Sequence, residues 1–286
     1  MYRNKGILIE AAKAKFQPNL FVLTVIILVL FFSAYMLPQV ILSNIFEGFN
    51  LSAATESVSF LFLNIITIAA GILYCTKIEK RSLRSMGFVK KGIGKNYLIG
   101  LALGLLILFL TVITSVLLGA AVITRGHITP MVILFFLGFV VQGMSEEVAL
   151  RGVYMVSAAN KSPIVVAILI NSLFFAIPHY MFSDGQLLFT INTLLMGILF
   201  SIYMLQTDNI WGVSGIHTGF NFFNRVLFNN SEWQDGGNSV FLVTSNIPGK
   251  ELIGGNSYGI LSGLIWTIFI VAFLIILVFR GKVISK

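Results

Sequence analysis

The chain has 286 residues, of which 57% are hydrophobic and only 10% charged, with a mean hydropathy of +0.93. Soluble globular chains carry about 25% charged residues, so most of this surface must face lipid and a soluble class is excluded. The net charge of +8 lies in segments flanking apolar runs, the mark of membrane orientation, and gives no support to nucleic-acid binding.

The basic head, with Arg3, Lys5, Lys13 and Lys15, precedes an apolar run over 20–42. That run is too long for a signal-peptide core and no A-x-A-like site follows it, so it reads as a retained first span. Further runs able to cross a hydrocarbon core of about 30 Å cover 58–76, 97–123, 129–158, 164–182, 187–206, 210–228 and 259–279. They are continuously apolar rather than alternating, which predicts helices and not barrel strands. The expected fold class is an all-α integral membrane protein. It is one polytopic domain over 1–286, a bundle of about eight transmembrane helices with a buried polar site.

Basic residues cluster in the head, in the second connection (Lys77, Lys80, Arg81, Arg84, Lys90, Lys91, Lys95), at Lys161 and in the tail (Arg280, Lys282, Lys286). Eight alternating spans put all four clusters on one side, so both termini are expected to be cytoplasmic. Glu47, Glu56, Asp184, Glu232 and Asp235 fall opposite, with Arg125 and Lys250 opposing. The connection over 77–95 interleaves Leu83, Met86, Phe88 and Val89 with its cations. It reads equally as an interfacial helix or a solvated loop. The segment 229–258, rich in Gly, Asn and Ser, is expected to be an irregular outer loop, and His127 a loop residue. Gly100 with Gly104, and Gly215 with Gly219, have the spacing that lets helices approach closely. Cys75 reads as a small packing residue.

Ionisable groups inside spans cost about 2.5–3.5 kcal/mol on insertion scales and need a partner or a purpose. Here they concentrate in the fourth, fifth and seventh spans: Glu146, Glu147, Arg151, His179 and His217, with Asn221 beside them. At 1.5 Å per residue, Glu146 lies about 20 Å and His179 about 24 Å from the turn near Asn160, while His217 and Asn221 lie about 12 and 18 Å in from Asn209. Three helices thus bring polar groups to overlapping depths. Glu147 and Arg151 stand four apart and pair on one face, leaving Glu146, rotated by about 100°, to face a cavity. His217 and Asn221 project together, and Asn171, Phe175 and His179 form a stripe. Pro178 is expected to free a carbonyl and kink its helix. Asn64 and Asn192 read as packing amides, and Asn171 as packing or supporting.

A buried glutamate beside a histidine can activate water, and a second histidine with an asparagine can donate to an oxyanion. That chemistry suits a hydrolase for carbonyl substrates. No H-E-x-x-H helix is present, but two histidines and a glutamate can also hold zinc, and a non-catalytic regulator or scaffold with a polar binding cavity stays open. Few transporter features appear, since no inverted repeat or paired broken helices are visible.

Glu146-Glu147-Val-Ala-Leu-Arg151 matches E-E-x-x-x-R, Phe175-Ala-Ile-Pro-His179 matches F-x-x-x-H, and His217-Thr-Gly-Phe-Asn221 matches H-x-x-x-N. In order and separation the chain resembles the CAAX-protease and bacteriocin-processing (Abi) family of intramembrane glutamic endopeptidases. The motifs span 129–228, and Arg84-Ser-Met-Gly-Phe88 resembles that family's lead-in. The resemblance implies a catalytic core over 129–228, with Glu146 and His179 activating water and His217 and Asn221 forming the oxyanion hole. Glu147 and Arg151 would support Glu146. It further implies metal-free catalysis on a peptide or protein substrate at the bilayer, in the cell membrane of a bacterium. Ala149-Leu150 departs from the family's usual aromatic before the arginine, which touches packing only.

Overall fold

The computed structural model describes residues 5–45, 51–228 and 239–284. Arg3, Glu47, Glu232, Asp235 and Lys286, used in the charge reading, lie outside them. The basic head contains a short helix, α1 (Gly6–Ala12), whose Ile7, Leu8 and Ala11 are buried. A helix start leaves backbone N–H groups without partners; here the Ile7 N–H donates to Asp208 Oδ1 at 2.9 Å, and Arg84 ion-pairs with the same carboxylate. The head is therefore an element docked on the bundle.

Helix α2 (Leu20–Ile45) follows. Next, α3 (Ala53–Leu63) and α4 (Ile65–Leu73) run on into a π-helix (Tyr74–Ile78) as one span. Asn64 marks the break between them; its amide donates to the Phe60 carbonyl at 3.0 Å and accepts from Ser145 at 3.3 Å. The chain then makes a 3-10 turn (Leu83–Met86) before α5 (Ile93–Leu117). Residues 77–95 are neither fully solvated nor simply interfacial: Glu79, Arg81, Ser85 and Met86 are buried. Arg81 pairs with Glu79 and donates to the Gly152 carbonyl at 2.7 Å, tying the segment to the bundle.

The tail of the run expected over 97–123 is not helix. Gly119, at φ 63°, ends the helical path, and β1 (Val122–His127) pairs antiparallel with β2 (Ser239–Thr244), His127 opposite Ser239. The partner strand is more than a hundred residues downstream, so local apolarity could not reveal the pairing. Helix α6 (Met131–Glu147) continues as a π-helix (Val148–Met155) and a last turn, α7 (Val156–Ala159). Then come α8 (Ile164–Phe182), α9 (Leu187–Thr207) and α10 (Trp211–Phe222), the last extended as a π-helix (Phe223–Leu227). A short α11 (Glu251–Gly254) and a 3-10 turn (Ile260–Ser262) precede α12 (Leu264–Ile284). Among the described residues six helices are long and apolar enough to cross a membrane: Ala53–Ile78, Ile93–Leu117, Met131–Ala159, Ile164–Met181, Leu187–Thr207 and Leu264–Gly281. The other two expected spans correspond to α2 and to α10 with its π extension. The protein is an all-α integral membrane protein.

Helix α10 is seated by its glycines. A Cβ at Gly104 would stand 2.7 Å from the Ile216 carbonyl oxygen, and one at Gly219 2.9 Å from the Leu101 carbonyl oxygen. Backbone therefore meets backbone along α5 and α10, and Tyr97 Oη donates across the contact to Thr218 Oγ1 at 2.8 Å. Gly219→Val is expected to cost about 1–3 kcal/mol through overpacking, read as a lower unfolding temperature in detergent. Gly94→Ala, where a Cβ meets nothing within 4 Å, should leave that temperature unchanged. Equal effects of the two would contradict the close packing.

Candidate active site

Helix α6 presents Gln142 and Glu146 four residues apart, hence on one face. Gln142 Nε2 donates to Glu146 Oε1, and Gln142 Oε1 accepts from Asn221 Nδ2 at 2.8 Å. The helix relaxes into its π segment immediately after Glu147. Such segments interrupt the regular hydrogen-bond ladder and recur at functional sites; here the Gly152 carbonyl within it is taken by Arg81.

Glu147, Arg151 and His217 are 0%, 0% and 2% exposed, so their charges have no water to fall back on. They bond to one another through one carboxylate oxygen, while Glu147 Oε2 and Arg151 Nε are buried with no hydrogen-bond partner among the described residues. Arg151 Nη1 donates to Glu147 Oε1 at 2.9 Å, and His217 Nδ1 donates to that same oxygen at 2.8 Å. Arg151 Nη2 reaches the Gly197 carbonyl at 3.2 Å, which also accepts from Ser201, itself held by Asn171. Two rings enclose the guanidinium: its carbon lies 5.0 Å from the Phe175 centroid and 5.2 Å from that of Phe200. Cation–π contacts of this kind are worth roughly 0.5–2 kcal/mol each. The same rings pack against His217, at 5.7 and 5.1 Å, so its imidazole is held at its edge and on its sides.

The bond from Nδ1 to a carboxylate assigns a proton to His217 Nδ1 and turns Nε2 toward Glu146, whose Oε2 lies 3.8 Å away. Both glutamates thus address one imidazole, from opposite nitrogens. His179 has the same polarity by another route. Its Nδ1 is 2.7 Å from the Phe175 carbonyl oxygen, which can only accept, so Nδ1 carries a proton and Nε2 is the working nitrogen. That carbonyl lies one residue beyond the one expected to be freed by Pro178, and α8 runs unbroken through the proline.

Glu146, His179, His217, Asn221 and Gln142 all line one cavity of about 460 Å³, walled by Phe60, Leu61, Phe135, Phe139, Phe189 and Trp266. Glu147 and Arg151 stand behind that wall, and Glu146 is on it. Among the described residues no hydrogen bond joins His179 to Glu146; they share the cavity and lie within electrostatic reach. Of the pair expected to support Glu146, Glu147 bonds to His217, and Arg151 to Glu147 and the Gly197 carbonyl. Gln142 bridges Asn221 to Glu146. Among the described residues no three His, Cys, Asp or Glu side chains form a group set to hold a metal ion. Gln142, Phe200 and Gly197 were not singled out from sequence. The first carries a signal, an amide one turn before Glu146; the others carry none. Asn192, read as a packing amide, donates to the Leu261 carbonyl at 2.8 Å.

Residues 128–223 match the family model described as Type II CAAX prenyl endopeptidase Rce1-like. The match covers all three motifs and bears out the resemblance to the CAAX-protease and bacteriocin-processing family. It supports an intramembrane protease. No curated protein matches the chain.

Proposed function

We propose that the protein is an endopeptidase that hydrolyses a peptide bond within the membrane, using water activated by Glu146 and His179. The observation that carries this reading is the convergence of Glu146, His179, His217 and Asn221 on one cavity inside the bundle. Glu146 is the general base. His179, with Nδ1 committed to the Phe175 carbonyl, offers Nε2 to orient the water. His217, once Nε2 also carries a proton, donates from it to the developing oxyanion, and Asn221 adds a second donor. Glu147 fixes the His217 ring, and Arg151 holds Glu147.

The substrate is a peptide or protein tail reaching the cavity at the bilayer, and the cavity's aromatic wall suits an apolar neighbour to the scissile bond. By the positive-inside rule the basic clusters favour both termini on the cytoplasmic side of the cell membrane. Comparative peptidomics of membranes from cells carrying wild type or Glu146→Gln tests the activity. A product series present only with wild type is expected; identical peptide profiles together with an intact cellular phenotype would favour a scaffold instead.

We expect catalysis to be metal-free, as the family resemblance implies; the Nδ1 bonds of the two histidines orient their rings and do not themselves decide the point. Purified active protein should keep full activity in EDTA. Activity lost to the chelator and restored by zinc would overturn this.

A further inference from the structure

We infer that Gln142 is a positioning residue that divides the two Glu146 oxygens between support and proton transfer and couples Asn221 to that division. The inference rests on the catalytic reading above but concerns a residue outside the three motifs. Its geometry leaves little choice. An ionised carboxylate accepts and never donates, so the Gln142 end facing Glu146 Oε1 must be its NH2 group. The carbonyl end then faces Asn221, whose Nδ2 supplies the donor it needs at 2.8 Å. The chain of bonds has one sense only, from Asn221 through Gln142 to Glu146, and it links α10 to α6 across the cavity.

Two consequences follow for the reaction. Oε1 is held by the Gln142 N–H, so the proton taken from water goes to Oε2, the oxygen turned toward His217 Nε2. In that step the water O–H bond breaks and its proton passes to Oε2. The water oxygen bonds to the scissile carbonyl carbon, and the carbonyl electron pair moves to its oxygen. Oε1 can keep its bond from Gln142 before and after the transfer, so the carboxylate need not turn. Asn221 is fixed at the same time: one of its N–H bonds is spent on Gln142, which sets the direction in which the rest of its amide faces the cavity.

A purely structural amide at this half-buried position would change stability or substrate affinity. A positioning amide changes turnover. Gln142→Leu, which removes both bonds at similar volume, is expected to lower kcat about 10–100-fold, the range for losing a hydrogen bond to a charged group, with KM within about twofold. Gln142→Asn, too short to reach both partners, should lose kcat in the same way and serves if the leucine variant does not fold. In a double-mutant cycle, Gln142→Leu with Asn221→Ala should be no slower than the slower single variant by more than about threefold, since both act through one chain of bonds. Multiplying effects in that cycle, or wild-type kcat in Gln142→Asn, would overturn the inference. Glu146→Gln is the control that separates the two levels. If it retains cleavage, the catalytic reading itself falls; if it is inactive while the Gln142 variants are unimpaired, only the role of Gln142 falls.

Discussion

Glu146→Gln is expected to reduce peptide cleavage about 10²–10⁴-fold, the usual contribution of a positioned general base, with the protein still inserting and purifying. The substitution is nearly isosteric. It keeps an oxygen able to accept from Gln142 and preserves the packing of α6, while removing the carboxylate that would take a proton from water. Glu146 lines the cavity, whereas Glu147 is turned behind it against Arg151 and His217. Charge loss at Glu146 should therefore register in kcat with little change in thermal unfolding. Turnover is measured on the wild-type product series in liposomes, with unfolding followed in parallel. A Glu146→Gln enzyme within tenfold of wild type would remove this residue from the chemistry.

Arg151→Met should have the largest effect on stability, about 3–5 kcal/mol, because it strands the Glu147 carboxylate where neither residue has any exposure. The guanidinium also closes the space between Phe175 and Phe200, and methionine fills that volume without the charge. Glu147→Gln combined with Arg151→Met should recover much of the loss, since no unpaired charge is then buried. The pair is thus expected to be a structural requirement for holding His217. The double variant should fold better than Arg151→Met yet turn over slowly, because the amide holds His217 Nδ1 less firmly than the carboxylate does. Unfolding in detergent measures the first expectation and kcat the second. A double variant as unstable as Arg151→Met would point to packing, and not charge, as the origin of the cost.

The spans were legible because lipid exposure is a bulk property of composition, readable without knowing any contact. The glycine spacing on α5 and α10 was legible for a related reason. Residues four apart share a helix face wherever that helix packs, and these proved to be the backbone contacts that seat α10. Span ends were less so. Val122 and Ile123 look like more helix until β2 supplies a partner, and α1 looks like loose charge until Asp208 receives its first N–H.

The same division runs through the buried carboxylates. Local spacing sufficed to pair Glu147 with Arg151 and to turn Glu146 toward a cavity, since both follow from the pitch of one helix. It could not say which imidazole lies between the two glutamates, because His217 is seventy residues away from Glu147 and its approach depends on how α10 packs against α5 and α6. Nor could it give Gln142 its task, which exists only once Asn221 stands opposite. By itself the sequence determined membrane embedding, the helical class and the identity of the polar groups, each a matter of composition or pitch. Only the tertiary structure decided which polar group each of them meets, because those bonds join helices whose relative placement no local spacing encodes.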